Sequence, residues 1–377
     1  LSFDVYLSAP DVGALEEEYL VRALRSGWAA PAGPDLDSFE QEMAERVGVG
    51  YAVGLASGTA GLHLVLRSWG VGPGDVVVVP TFTFVATANA VIYTGATPYF
   101  VDCEMSTGNL DPHLLDQALD DLASQGSRVP VVVAVDMLGK AADYTRLQEV
   151  CDRHGARLLS DAAESLGASH ADVPAGAHGD VAVVSFNGNK VMTTSGGGML
   201  LTDDAALAAH VRKMATQARE PAVHYEHAEL GFNYRLSNLL AALGRAQLSR
   251  LDAMIARRRG WRDQYRQLFA GAEGVEILGG TDDVQDNCWL TALTVDPEQS
   301  PWSASDLASV LTDAGIESRP VWKPMHLQPL FADHASTLSG AADRLFATGI
   351  TLPSGSGMTD DQFDGVVEVI QRKVLST

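Results

Sequence analysis

The strongest constraint on the fold lies between Tyr51 and Thr202, where Val-rich apolar runs alternate with amphipathic stretches. The runs are YAVGL (Tyr51–Leu55), VVVVP (Val76–Pro80), PYFVD (Pro98–Asp102), VPVVVAV (Val129–Val135), ARLLSD (Ala156–Asp161), VAVVSF (Val181–Phe186) and GGMLLT (Gly197–Thr202). Helical spacing fills several intervals, such as Gly61–Trp69 and Ala142–His154. Continuous apolar strands separated by helices predict an α/β fold with a mainly parallel seven-stranded sheet covered on both faces. A helix over Val12–Arg25, capped at Gly27, precedes it.

The pattern changes near residue 250. IARRRGWRDQYRQ reads as a long linking helix, followed by a strand at Trp289–Val295 and helices over Ser303–Ala314 and Thr359–Val374. The expected division is a large α/β domain over 1–250 and a smaller α+β domain over 251–377, in keeping with a chain of 377 residues.

Charge narrows the partners. A formal net charge of −22 opposes binding to nucleic acid or an anionic membrane, both of which need basic patches. No apolar run approaches the ~20 residues that span a bilayer, and the first residues lack a secretory pattern. Cys103, Cys151 and Cys288 are scattered, without metal-like spacing. Reduced thiols in a cytoplasmic protein are the expectation. The richness in Ala, Gly, Asp, Arg and Val suggests a GC-rich, actinobacterial type of genome.

Four segments could carry chemistry. SGTAGL (Ser57–Leu62) opens a helix after a strand, so its amides could hold a phosphate, although the same turn makes an ordinary helix cap. SDAAES (Ser160–Ser165) places Asp161 at a strand's carboxyl end, where open α/β sheets bind ligands; it could equally cap the next helix. SFNGNKVMTTSGGGML (Ser185–Leu200) sets Lys190 in a Gly-rich turn, where loss of its proton would make it nucleophilic toward an aldehyde. GFNYRLSNLLAALG (Gly231–Gly244) leads through Asn233 and Arg235 to a helix capped by Ser237. Together the first three supply a phosphate anchor, an acid partner for a ring nitrogen and an amine for an aldehyde.

On these motifs the chain resembles the DegT/DnrJ/StrS-type nucleotide-sugar aminotransferases of aspartate-aminotransferase fold type I. The likeness runs from GWAAPAGPDLDSFE (Gly27–Glu40) to LPSGSGM (Leu352–Met358). SFNGNK, TTSGGGM, YEH, GFNYRLSN and RPVWKPMH bring it nearest to the bacillosamine-type 4-keto-6-deoxy-hexose enzymes. The resemblance implies pyridoxal 5'-phosphate, cycling through pyridoxamine 5'-phosphate, held on Lys190 as a Schiff base. It implies Asp161 at the pyridine nitrogen, Phe84 and Ala163 on the two ring faces, and Gly58, Thr59 and Ser185 at the phosphate. Asn233 would reach the phosphate of the neighbouring subunit in a homodimer with shared active sites. Glu164 stands where many relatives have Gln or His facing the cofactor's 3-oxygen, and TTSGGG replaces their TTGEGG.

The substrate implied is a nucleotide-linked keto sugar, with L-glutamate as amino donor. A dTDP-sugar aminated at C4 is expected, with UDP next and a 3-keto sugar as the rival. A regulator or carrier with this fold would have shed Lys190 or Asp161. Candidate sugar-nucleotide contacts are Trp28, Pro31, Arg219, His224, Tyr225, Arg235, Lys323 and His326, while Trp322 reads as packing.

Overall fold

A computed structural model describes residues 3–375 of the chain. Helices α1 (Ala14–Arg25) and α2 (Pro34–Val47) come first, α2 opening on Pro34 and closing on the left-handed Gly48. The sheet then builds from β1 (Tyr51–Leu55), β2 (Val76–Pro80), β3 (Thr97–Val101), β4 (Val131–Val135) and β5 (Arg157–Asp161). A two-residue hairpin, β6 (Ser169–His170) and β7 (Val173–Pro174), precedes β8 (Val181–Ser185) and β9 (Gly198–Thr202). Between them run α3 (Gly58–Ser68), α4 (Val85–Thr94), α5 (Pro112–Ser124) and α6 (Tyr144–His154), and α7 (Ala205–Ala215) follows β9.

The large sheet has the order β1-β9-β8-β5-β4-β2-β3-β13, with β13 a two-residue strand, Ser336–Thr337, returning from the C-terminal part to the β3 edge. All seven expected strands are present, and the eighth is this short addition. Only β9 runs against its neighbours, β1 and β8. Every other strand therefore ends at the same edge.

The two-residue period of each strand sorts its side chains to the two faces. Val77 and Val79 pack with α3, α4 and α7, whereas Val78 packs with α5 and α6. Ala182, Val184, Met199 and Leu201 meet α2 and α8 (Asn238–Leu268).

Helix α8 is 31 residues long, so the basic stretch expected as a linker is its second half, and residue 250 falls inside it. Beyond it a four-stranded antiparallel sheet, β10 (Val275–Ile277), β11 (Thr291–Val295), β14 (Gly349–Leu352) and β12 (Arg319–Pro320), is covered by α9 (Ala304–Asp313) and α11 (Asp360–Ile370). Helix α10 (Ala341–Thr348) packs beside β11 and β14. The N-terminal segment joins this unit: Val5 lies in its core and pairs with Ile316. Among the described residues no helix is long and apolar enough to cross a membrane, and all three cysteines are free and buried.

Candidate active site

The carboxyl ends of β1, β4, β5 and β8 open onto one pocket of about 390 Å3, lined among others by Gly58, Asp161, Glu164, Ser185, Lys190 and Trp289. Thr59, Phe84 and Ala163 line it too. Eight of the nine cofactor-contact candidates therefore meet in one place. Asn233 does not; it is exposed on the segment that follows α7, outside its own chain's pocket.

Asp161 ends β5 and is buried. Its Oδ2 accepts a hydrogen bond from Thr87 Oγ1 at 2.8 Å, and Oδ1 accepts from the Ala163 N–H at 3.3 Å. Burial holds its carboxyl above the usual range, against the Thr87 hydrogen bond and the charge of Lys190. A buried carboxylate with a site open toward a cation gains most from a protonated ring nitrogen, which would offset that desolvation.

Lys190 sits in the tight turn after β8, where its N–H donates to Asn187 O at 3.0 Å. Its Nζ lies 3.4 Å from Glu164 Oε1 and 4.0 Å from the centroid of the Trp289 ring. Glu164 Oε2 accepts from the Leu138 N–H at 2.8 Å, and burial raises this carboxyl as well.

The opposite end of the pocket has the donors that an anion cradle would need. Ser57 caps α3 by accepting from the Ala60 N–H at 3.0 Å, which leaves the first-turn amides of Gly58 and Thr59 at the pocket edge. Small residues create this space. A Cβ on Gly58 would lie 3.2 Å from Ser185 Cβ, and one on Gly198 would lie 2.4 Å from the Gly58 nitrogen. Phe84 stands over the pocket and packs against Trp322 at 5.7 Å between centroids. Helix-end amides and a serine at one end, a carboxylate and a lysine at the other, and an aromatic wall between them fit a flat, phosphorylated aldehyde.

The substrate candidates are dispersed. Trp28, Pro31 and Arg235 line a separate cleft with Arg212 and Thr216. Arg219 lies 4.5 Å from the Tyr225 ring in an exposed loop, and His224 pairs with Glu226 at 2.8 Å in the same loop. Lys323 is half-buried beside Trp322.

Two of the candidates are also engaged within the chain itself. Arg235 is committed within the protein: its guanidinium donates to Glu40 Oε1 at 2.7 Å and to Gly54 O at 2.9 Å, clamping residues 234–236 against β1. A buried carboxylate that also binds the Gly54 N–H claims this cation more strongly than an open cleft would. His326 is likewise engaged, with Nδ1 2.7 Å from Thr81 Oγ1 and Nε2 3.1 Å from Asp343, and it does not line the pocket.

Sequence reasoning missed Thr87 and Trp289. Thr87 falls in the segment PTFTFVATANA (Pro80–Ala90), one helical turn after Phe84, so its proximity to the pocket was in principle readable. Trp289 arrives from 99 residues beyond Lys190, and nothing in its local pattern announces it.

Comparison with known proteins agrees with this geometry. Residues 10–371 match the DegT/DnrJ/EryC1/StrS aminotransferase family. The chain is 44% identical over 371 residues to EpsN of Bacillus subtilis (strain 168), covering 97% of this chain and 95% of EpsN. It is 33% identical over 374 residues to the GDP-perosamine synthase of Caulobacter vibrioides, covering 98% of each. Among solved structures, DesI in the presence of its TDP-sugar product superposes with a TM-score of 0.86 at 31% identity, over 98% of this chain and 92% of DesI. With these likenesses spanning nearly the whole chain, and a pocket shaped for the cofactor the family uses, the protein belongs to the DegT/DnrJ/EryC1/StrS family and is a pyridoxal-phosphate-dependent sugar aminotransferase.

Proposed function

We propose that the chain transfers the amino group of L-glutamate to C4 of a nucleotide-linked 4-keto-6-deoxy-hexose, with a dTDP-sugar preferred and a UDP-sugar next. The products are the 4-amino-4,6-dideoxy-hexose nucleotide and 2-oxoglutarate. The observation that carries the reading is the convergence of Lys190, Asp161 and the α3 cradle in one pocket. The likeness to DesI, a protein solved with a TDP-sugar product, supports the nucleotide.

When bound, pyridoxal phosphate supplies an aldehyde that carries the amino group and a ring that accepts an electron pair. The residues of the chain do the rest. The α3 amides and Ser185 hold the phosphate, and Phe84 and Ala163 confine the ring between them. Asp161, kept in place by Thr87, offers its carboxylate to the ring nitrogen and keeps a proton there. Lys190 attaches the cofactor and, once displaced, removes a proton from one carbon and returns it to another.

In a homodimer the exposed Asn233 of each chain would complete the phosphate cradle of the other. Trp28 and Pro31 would border the sugar pocket, with Arg219, His224, Tyr225 and Lys323 meeting the nucleotide. A cytoplasmic location follows from such substrates.

The test is incubation of purified enzyme with glutamate and either dTDP-4-keto-6-deoxyglucose or its 3-keto isomer, with the new amine located by NMR. Nitrogen at C4, formed one-for-one with 2-oxoglutarate, is expected. Nitrogen at C3 would move the assignment to the isomer, and inertness toward dTDP- and UDP-sugars alike would refute it.

A further inference from the structure

The surroundings of the Lys190 amine are more specified than attachment of a cofactor requires. Glu164 Oε1 lies 3.4 Å from Nζ and the Trp289 ring lies 4.0 Å away, with the lysine side chain only 12% exposed. A carboxylate on one side and the electron-rich face of an indole on the other suit a free primary ammonium. The other charged groups around it are Asp161 on β5 and Arg258 on α8.

The walls of this seat are tied to each other and to the lysine's own turn. Trp289 Nε1 donates to Asn189 O at 2.7 Å, so the residue before Lys190 orients the ring. Asn287 is wholly buried: its Oδ1 accepts from the Trp289 N–H at 2.8 Å and its Nδ2 donates to Glu164 O at 2.8 Å. One side chain thus joins both walls. Arg258 closes the back, donating to Trp289 O at 2.7 Å, to Ser354 O at 3.2 Å and to Lys190 O at 3.5 Å.

Backbone strain gathers at the same place. Leu138, whose N–H holds Glu164, has φ +55°, and Cys288, beside Trp289, has φ +56°. At Gly139, φ +99°, a Cβ would lie 2.1 Å from Asn287 Oδ1. Left-handed non-glycine residues cost energy and persist where the surroundings over-determine them, as they do at functional sites.

The reaction needs such a place. The donor amine would displace the lysine in the first half-reaction, and through both halves the freed amine must stay within reach of the reacting carbon until it regains the cofactor as the amino sugar leaves. The geometry points to Glu164 and Trp289 as the seat of the released Lys190 amine, with Trp289 a positioning residue of the transamination. This rests on Lys190 being the attachment lysine, as read above.

The test uses the full-length enzyme loaded with pyridoxamine 5'-phosphate, in which Lys190 is free. Trace acetylation with acetic anhydride is read by mass spectrometry at the Lys190 peptide and normalised to Lys140, Lys213, Lys323 and Lys373. Only the unprotonated amine reacts, so the rate reports how firmly the ammonium is held. Tryptophans carrying one, two and four fluorines, installed at position 289, keep the shape of the ring while weakening its face. The Lys190 rate at neutral pH is expected to climb with fluorine number, roughly three- to tenfold in all. Glu164→Gln should raise it too, with unchanged circular dichroism.

A flat rate across the fluorinated series in folded protein overturns the seat. Borohydride reduction of the pyridoxal-phosphate-loaded enzyme, followed by peptide mapping, tests the underlying attachment separately. Label on a lysine other than Lys190 refutes that reading whatever the series shows.

Discussion

Gly198 makes a demanding prediction, because it carries no chemistry and lies on a strand rather than a loop. It pairs with Leu55 on one side and Ser185 on the other. A Cβ there would meet the Gly58 nitrogen at 2.4 Å, the Ser57 carbonyl carbon at 2.5 Å and Gly58 Cα at 2.8 Å. These are backbone atoms of a capped helix start and cannot rotate away. Reaching an ordinary 3.4 Å contact requires the α3 N-terminus or β9 to move by about 1 Å. Overpacking of this size costs roughly 1–3 kcal/mol. If the displacement falls on the phosphate cradle, affinity for the cofactor drops by about 5- to 150-fold. The assay is absorbance titration of cofactor-free Gly198→Ala with pyridoxal 5'-phosphate, beside a thermal melt. Gly188→Ala serves as control, since a methyl there meets nothing closer than 3.9 Å. Wild-type affinity and melting temperature in Gly198→Ala would refute the reasoning that β9 shapes the cradle.

Other outcomes follow from the same structure. Lys190→Ala should abolish turnover and leave no borohydride-stable adduct on that peptide; a fully active variant would refute the assignment. Arg235→Met should lower stability by about 3–5 kcal/mol by stranding part of the Glu40 charge, and adding Glu40→Gln should recover some of that loss in denaturant melts. Asp136 is wholly buried and receives hydrogen bonds from Ser165, Tyr144 and the Ala142 N–H, yet burial pushes its carboxyl up to about 7. The folded state then binds a proton that the unfolded state has already lost, so this residue's contribution to stability falls as pH rises from about 4 to about 7. Asp136→Asn should therefore gain on the wild type in denaturant midpoint between pH 5 and pH 8, and a constant difference would refute the shift.

The sheet was legible because Val-rich runs between helices admit few other packings, and strand-end positions drew attention to Asp161 and Ser185. Lys190 was legible through its spacing from Ser185 and the glycines that follow. Asn287 and Trp289 were not, since their roles arise from contacts spanning 123 and 99 residues of sequence, and the partner of Thr87, 74 residues on, was equally hidden. The contacts of Arg235 were hidden for the same reason. Its motif resembles a ligand loop, and only the fold shows Glu40, 195 residues earlier, holding it. Strand β13 is too short to leave a periodic trace.

The position of Val5 bears on the order in which the protein can be made. Its N-terminal segment is held by partners that leave the ribosome some 310 residues later: Asp4 N–H donates to Gly315 O, and Glu317 N–H donates to Val5 O. Residues 4 and 5 must therefore wait, unpaired, for residues 315–317. The active site waits too, because Trp289 and Trp322 complete a pocket whose other walls are finished by residue 197. Loops closed over such distances form slowly. The nascent sheet thus carries its ligand edge without the two indole walls until residue 322 has emerged.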